Sequence, residues 1–212
     1  MKLDRNSLKL YAITDRECLR GRDLAEQVEL AILGGVTCVQ LREKGLPEDE
    51  LIAEAKALKR VCAAHGVPLI INDNWQAALK SGADGVHVGI EDAPVAEIRR
   101  AAGNDFIIGA TAKTVSQAKL AEASGADYLG VGAVFPSPTK KNALRITPEL
   151  LAEICASVSI PAVAIGGITA ENLHETAGCG QAGIAVVSAI FAQDDVRAAA
   201  AELSALIRNY LS

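Results

Sequence analysis

Aromatic residues are scarce in this 212-residue chain: one tryptophan, three tyrosines and three phenylalanines make up 3% of it. With so few rings to stack on and a formal net charge of -5, the chain lacks the platform and the basic field that nucleic-acid binding requires. No apolar run is long enough to span a bilayer, and Met1 leads into charged Lys2, Asp4 and Arg5 rather than an apolar leader. The five cysteines, Cys18, Cys38, Cys62, Cys155 and Cys179, are odd in number and never spaced Cys-x-x-Cys. Neither a disulfide framework nor a zinc site is indicated, and a reduced compartment fits. Low-complexity tracts and Pro/Ser-rich spacers are also missing, so a single domain over residues 1–212 is expected. These absences predict a soluble, cytoplasmic protein with small-molecule partners and no nucleic-acid or membrane partner.

What the chain does have is apolar residues, 50% against 22% charged, enough for a sizeable core. Short β-branched apolar stretches begin near Leu10, Thr37, Pro68, Gly85, Phe106, Tyr128, Pro161 and Gly183. Segments with helical spacing follow them, such as Asp23 to Leu33 and Glu48 to Ala63. Strands alternating with helices imply parallel pairing, and eight units predict an α/β fold closed as a (β/α)₈ TIM barrel. The length is near the lower end for such a barrel and leaves little room for insertions.

The punctuation agrees. Gly34-Gly35-Val36, Gly82-Ala83-Asp84, Gly125-Ala126-Asp127 and Gly180-Gln181-Ala182 precede the even-numbered strands, where a glycine is expected to end each helix in a left-handed cap. Asp23, Asn74, Thr114, Thr147-Pro148, Thr169 and Asp194-Asp195 are expected helix starts. Outer helices such as Ala198 to Ile207 are candidates either to cover the barrel or to join a partner copy, leaving a homo-oligomer open.

Chemically capable residues gather at the strand ends. Strand two ends Gln40-Leu41-Arg42-Glu43-Lys44, and alternation puts Gln40, Arg42 and Lys44 on one side, Leu41 and Glu43 on the other. The first three face either the lumen or a solvated rim. Asn72-Asp73 ends strand three and Glu91-Asp92 follows strand four. Asp73 and Asp92 are the carboxylate pair a hard divalent cation bridging to pyrophosphate requires, or else each caps its next helix. After strand six, Phe135 to Ile146 is the longest non-periodic stretch; Ser137, Pro138, Thr139, Lys140 and Lys141 combine hydroxyls, a rigid turn and amines suited to a phosphate. Gly166-Gly167-Ile168 ends strand seven and Val187-Ser188 strand eight, where such barrels often hold a phosphate. His65 and His174 read as surface residues, His87 as packed rather than catalytic, and Trp75 as covering the barrel. No Ser-His-Asp or Cys-His pairing can be assembled, so no nucleophile is found.

With these motifs in place, the chain resembles the thiamine phosphate synthase family from about Leu10 to Ile190. The matching segments are Gln40 to Lys44, Ile71-Asn72-Asp73, Gly85 to Gly89 with Glu91-Asp92, Phe135 to Lys140, Ala164 to Ile168, and Val187-Ser188. The resemblance implies joining of hydroxymethylpyrimidine pyrophosphate to thiazole phosphate, giving thiamine phosphate and pyrophosphate with Mg2+. It implies that the Gln40 to Lys44 segment, Asn72 and Lys140 hold the pyrimidine pyrophosphate, and that Asp73 and Asp92 ligate the metal. Ser137 and Thr139, with the backbone at Gly167, Val187 and Ser188, would hold the thiazole phosphate, and Pro138 between the two hydroxyls counts among the substrate-binding residues. Thr111 stands where the family usually has a serine beside the pyrophosphate. Asn74, Ile90, Lys113 and Ser137 also depart from the usual pattern, and none removes an implied metal ligand.

With no nucleophile, catalysis is expected to run by leaving-group stabilisation, with Arg42, Lys44 and Lys140 as the catalytic residues. Three alternatives stand beside this: a related thiazole-isomerising branch, a sugar-phosphate isomerase needing a placed acid and base, and a non-catalytic barrel that binds a thiamine precursor.

Overall fold

The computed structural model describes residues 3–136 and 145–211. Eight parallel strands close into a barrel in sequence order: β1 (Leu10–Ile13), β2 (Cys38–Leu41), β3 (Leu69–Asn72), β4 (Gly85–Val88), β5 (Ile107–Ala112), β6 (Tyr128–Gly132), β7 (Ala162–Ile165) and β8 (Gly183–Val186). Leu10 pairs with Ile184 and Ala12 with Val186 to close the ring. Every strand begins within one residue of its predicted start.

Alternation explains why these short apolar runs show no polar face. In β1, Leu10 and Ala12 pack outward against the helices, while Tyr11 and Ile13 belong to a separate inner cluster with Cys38, Ile70, Ile107, Tyr128, Val163 and Ala185. Both faces of each strand are therefore removed from water, as a barrel enclosed by helices requires. Gln40 is a polar member of the inner layer, only 2% exposed.

The helices are α1 (Arg16–Leu19), α2 (Leu24–Leu33), α3 (Glu48–Ala64), α4 (Trp75–Ser81), α5 (Val95–Ala102), α6 (Val115–Ala123), α7 (Pro148–Ala156), α8 (Ser188–Phe191) and α9 (Val196–Tyr210). Predicted caps act at five of them. Asp23, Asn74, Thr114, Thr147 and Asp195 accept the amides of Glu26, Ala77, Gln117, Leu150 and Ala198, each cap contributing about 1 kcal/mol. Thr169 is the exception. No α-helix follows β7; a 3₁₀ turn, Leu173–Thr176, stands there instead. Asn172 accepts the Thr169 amide at 2.8 Å and donates to the Gly167 carbonyl at 2.9 Å. A side chain that satisfies backbone groups in this way competes with helix formation.

The glycine repeat serves more than one purpose. Gly82 is the left-handed cap that was predicted, at φ +74. At the end of α2 the left-handed residue is Gly35, at φ +111, while Gly34 stays right-handed at φ -81 and is small for another reason, because a Cβ there would lie 2.6 Å from Ala200 Cβ on α9. Helix α9 thus packs close on α2, burying Val196, Ala200, Leu203 and Ile207 within the chain. The aspartates of the two Gly-Ala-Asp copies are latches: Asp84 accepts the Leu69 amide and the Lys59 ammonium, and Asp127 the Ile108 amide and the Arg99 guanidinium. Each ties a strand start to the preceding helix. None of the described helices is long and apolar enough to cross a membrane, and all five cysteines are free thiols.

Candidate active site

Because all eight strands run the same way, their C-terminal ends share one mouth, and a cavity of about 570 Å³ opens there. Gln40, Arg42 and Lys44 all line it, Gln40 buried in the lumen, Arg42 partly buried and Lys44 exposed at the mouth. Asn72, Asp73, Gly89, Asp92 and Thr111 line it from β3 to β5, and Gly166, Gly167, Val187 and Ser188 from β7 and β8. Ser137, Pro138, Thr139, Lys140 and Lys141 lie outside the described residues.

Leu41 and Glu43, the other members of this segment, do not line the cavity, as alternation led one to expect. Leu41 is fully buried in the outer layer, and Glu43 faces the same way because strand residues alternate. The Glu43 carboxylate, 4% exposed, accepts from Arg16 Nε at 2.8 Å, and Arg16 also reaches Glu54 at 2.7 Å. Glu43 thereby anchors the β2 end to the start of α1, where the loop after β1 ends.

That same loop aims Arg42. The Arg42 amide donates to Thr14 Oγ1 at 2.9 Å, and its guanidinium lies 3.3 Å from Asp15 Oδ2. Lys44 lines the cavity without an ion pair among the described residues. Two cationic heads therefore reach one wall, one of them restrained.

Asp73 and Asp92 are both released from helix capping. Asn74 caps α4, while Pro94 occupies the N-cap position of α5. Asp73 sits at φ +62, its amide donating to the His87 carbonyl at 2.8 Å and its carboxylate accepting from Asn72 Nδ2 at 2.5 Å. Left-handed backbone is uncommon for a residue with a Cβ, and here it turns the strand end toward the mouth. Asp92 Oδ2 accepts the Gly89 amide at 2.7 Å, closing a turn that holds the carboxylate at the cavity edge. No three His, Cys, Asp or Glu side chains cluster as a metal cage among the described residues.

Opposite this wall, Gly166 and Gly167 have φ of +102 and +64, and a Cβ on the second would meet Phe135 at 2.9 Å. Only glycine fits between the β6 and β7 ends, leaving backbone as the surface that faces a ligand.

Lys113 and His87, read from the sequence without a substrate-binding role, also line the cavity. Lys113 follows Thr111 by two positions on the same side and adds a third cation; alternation along β5 was the available signal. His87 is packed as predicted, yet it also lines the cavity, its ring nitrogens 3.2 Å from the Tyr128 hydroxyl and 3.1 Å from Thr111 Oγ1. Beneath it Tyr11 and Tyr128 meet edge-on at 5.9 Å, and burial pushes both phenols well above their usual range. His65 is exposed at the end of α3 and His174 lies exposed in the 3₁₀ turn. Trp75 packs against the outer core at the start of α4.

Comparison with known proteins identifies the family and agrees with the barrel fold. Residues 10–190 match the model of the family described as thiamine monophosphate synthase. A thiamine-phosphate synthase of Clostridium tetani is 46% identical over 195 residues, 92% of this chain and 93% of that one. One from Methanocella arvoryzae is 45% identical over 202 residues, 95% of each chain. Among solved structures, a thiamine phosphate pyrophosphorylase from Pyrococcus furiosus superposes with a TM-score of 0.90 at 40% identity, covering 98% of this chain and 99% of that one. With a family model spanning most of the barrel and relatives aligned along nearly their whole length, the chain belongs to the thiamine monophosphate synthase family.

Proposed function

We propose that the chain is a transferase that joins hydroxymethylpyrimidine pyrophosphate to thiazole phosphate, releasing thiamine phosphate and pyrophosphate. The observation that carries this reading is a single mouth lined by Arg42, Lys44, Asn72, Asp73, Asp92 and Thr111 on one wall and by Gly167, Val187 and Ser188 on the other. That arrangement suits a diphosphate and a monophosphate held side by side.

The pyrimidine methylene carbon loses its bond to the pyrophosphate oxygen, which leaves with the electron pair, and the thiazole nitrogen supplies the pair for the new C–N bond. Arg42 and Lys44 stabilise the charge that gathers on the departing oxygens, and Thr111 donates a hydrogen bond to them. Gln40 and Asn72 orient the pyrimidine substrate. Gly167, Val187 and Ser188 hold the thiazole phosphate through backbone and hydroxyl donors. Ser137, Thr139 and Lys140 take phosphate-binding roles by the family resemblance, Lys140 as a further cation for the leaving group. No acid–base pair is demanded.

Asp73 and Asp92 fit Mg2+: they are hard oxygen donors, neither is the N-cap residue of the helix that follows it, and two carboxylates beside a substrate diphosphate are its usual setting. Bound there, the ion would add Lewis-acid stabilisation of the leaving group. The free thiols suit a cytoplasmic location.

The test is pyrophosphate release from hydroxymethylpyrimidine pyrophosphate, with and without thiazole phosphate, in magnesium and in chelator. Release that needs all three components is expected. Saturable binding without release would leave a precursor sensor, and conversion of a thiazole carboxylate phosphate without a second substrate would leave the isomerising branch.

A further inference from the structure

Thr111 as a donor to the leaving group rests on the function proposed above, and the barrel interior shows how that donor is aimed. Five strands contribute to one chain of hydrogen bonds beneath the mouth. Gln40 Nε2 donates to the Tyr11 hydroxyl at 2.7 Å, and the Tyr11 and Tyr128 hydroxyls are 2.8 Å apart. The Tyr128 hydroxyl lies 3.2 Å from His87 Nδ1, and His87 Nε2 lies 3.1 Å from Thr111 Oγ1. The rings are built in rather than loosely placed. A Cβ at Gly109 would lie 2.5 Å from His87 Nδ1 and collide with the Tyr128 ring, and one at Gly130 would lie 2.9 Å from His87 Cε1.

Counting hydrogens fixes the direction of this chain. An amide nitrogen only donates, so the Tyr11 oxygen accepts from Gln40. Both phenols are buried and stay neutral, each with one hydrogen to place. The Tyr11 hydrogen goes to the Tyr128 oxygen; reversing that bond would bury it without an acceptor, which is costly. The Tyr128 hydrogen then goes to His87 Nδ1, so the imidazole carries its hydrogen on Nε2 and donates to Thr111 Oγ1. The Thr111 oxygen is engaged from below, and its own hydrogen is the one left to face the cavity.

We propose that Tyr11, Tyr128 and His87 are positioning residues that set the Thr111 hydroxyl as a donor into the cavity, through a His87 held in its Nε2–H form. A Gln40 amide turned end for end would run the chain the other way. It would put the hydrogen on Nδ1 and spend the Thr111 hydrogen on His87 Nε2, leaving the leaving group no donor there.

The chain has three histidines, so the His65→Gln/His174→Gln variant of the full protein leaves His87 as the one imidazole in a long-range proton–nitrogen NMR spectrum. At neutral pH the expected spectrum shows Nε2 protonated and Nδ1 bare. A hydrogen on Nδ1, alone or together with Nε2, overturns the proposal without reference to any activity. The kinetic arm is a double-mutant cycle on pyrophosphate release. Tyr128→Phe is expected to lower kcat about tenfold, but no more than about twofold in a Thr111→Val background, where no hydroxyl remains to be aimed. Equal losses in both backgrounds mean a merely structural tyrosine and overturn the proposal. Absence of release by the wild-type chain would instead sink the proposed transferase, and the His87 spectrum would still decide the aiming.

Discussion

Replacing Arg42 by alanine separates catalysis from stability, because the two losses differ in size. The guanidinium is paired with Asp15 at 3.3 Å, their side chains 14% and 15% exposed. Removing it does not strand Asp15, whose carboxylate still accepts the Glu17 amide at 3.1 Å. The stability cost is therefore about 1 to 2 kcal/mol, between an exposed pair and a fully buried one. A domain with about 5 to 15 kcal/mol in hand remains folded. Loss of a preorganised donor to developing charge costs about 2.7 to 4 kcal/mol of transition-state stabilisation, so kcat should fall roughly 100- to 1,000-fold. Arg42→Lys keeps the charge but loses the planar fork, and should fall between the two. Steady-state pyrophosphate release is to be measured beside a urea unfolding curve for each variant. Turnover of Arg42→Ala within threefold of wild type, or a loss explained by unfolded protein, refutes the role of Arg42.

Asp92→Asn should raise the magnesium concentration for half-maximal rate about tenfold or more, read from a metal titration of turnover; an unchanged titration removes Asp92 as a ligand. Asp127→Ala cuts the latch to the Ile108 amide and Arg99, 2.7 and 2.6 Å long, and should cost about 2 to 3 kcal/mol in a urea melt. Its kcat per folded molecule should not change, since the latch sits at the far end of the barrel. Burial pushes the Cys62 thiol from its ordinary 9.0 up to about 12. Unfolded chains then release that proton first, so the Cys62 contribution is intact below about pH 9. It falls by about 1.4 kcal/mol per pH unit from there toward about 12. Urea midpoints at pH 8 and pH 10 should differ more for wild type than for Cys62→Ala, and equal differences would contradict the burial argument.

The chain's local signals were legible where local physics decides them. Asp23, Asn74, Thr114, Thr147 and Asp195 cap because a short oxygen-bearing side chain reaches the amide three residues on, whatever surrounds it. Thr169 looked the same and failed, because Asn172 reaches back to it and to Gly167 and holds a turn in place of a helix. Gly34 and Gly35 end α2 as read, with the left-handed backbone at Gly35, while the small size of Gly34 also serves the approach of α9 from the far end of the chain, which local sequence does not announce. For Asp73 and Asp92 the residues alone allowed a cap or a metal ligand. The structure removes the cap by giving that task to Asn74 at α4 and placing Pro94 at the N-cap position of α5.

Periodicity by itself determined eight strands, their alternation with helices, and the sharing of one side by Gln40, Arg42 and Lys44, since a side-chain period of two is a property of the backbone. Closure of the ring decided what that side faces and brought Tyr11, His87, Thr111 and Tyr128 into one hydrogen-bonded line with Gln40. Those bonds join residues up to 117 positions apart, and whether each bond forms depends on separations of a few tenths of an ångström. Such distances are set by packing between strands, to which a one-dimensional pattern is blind.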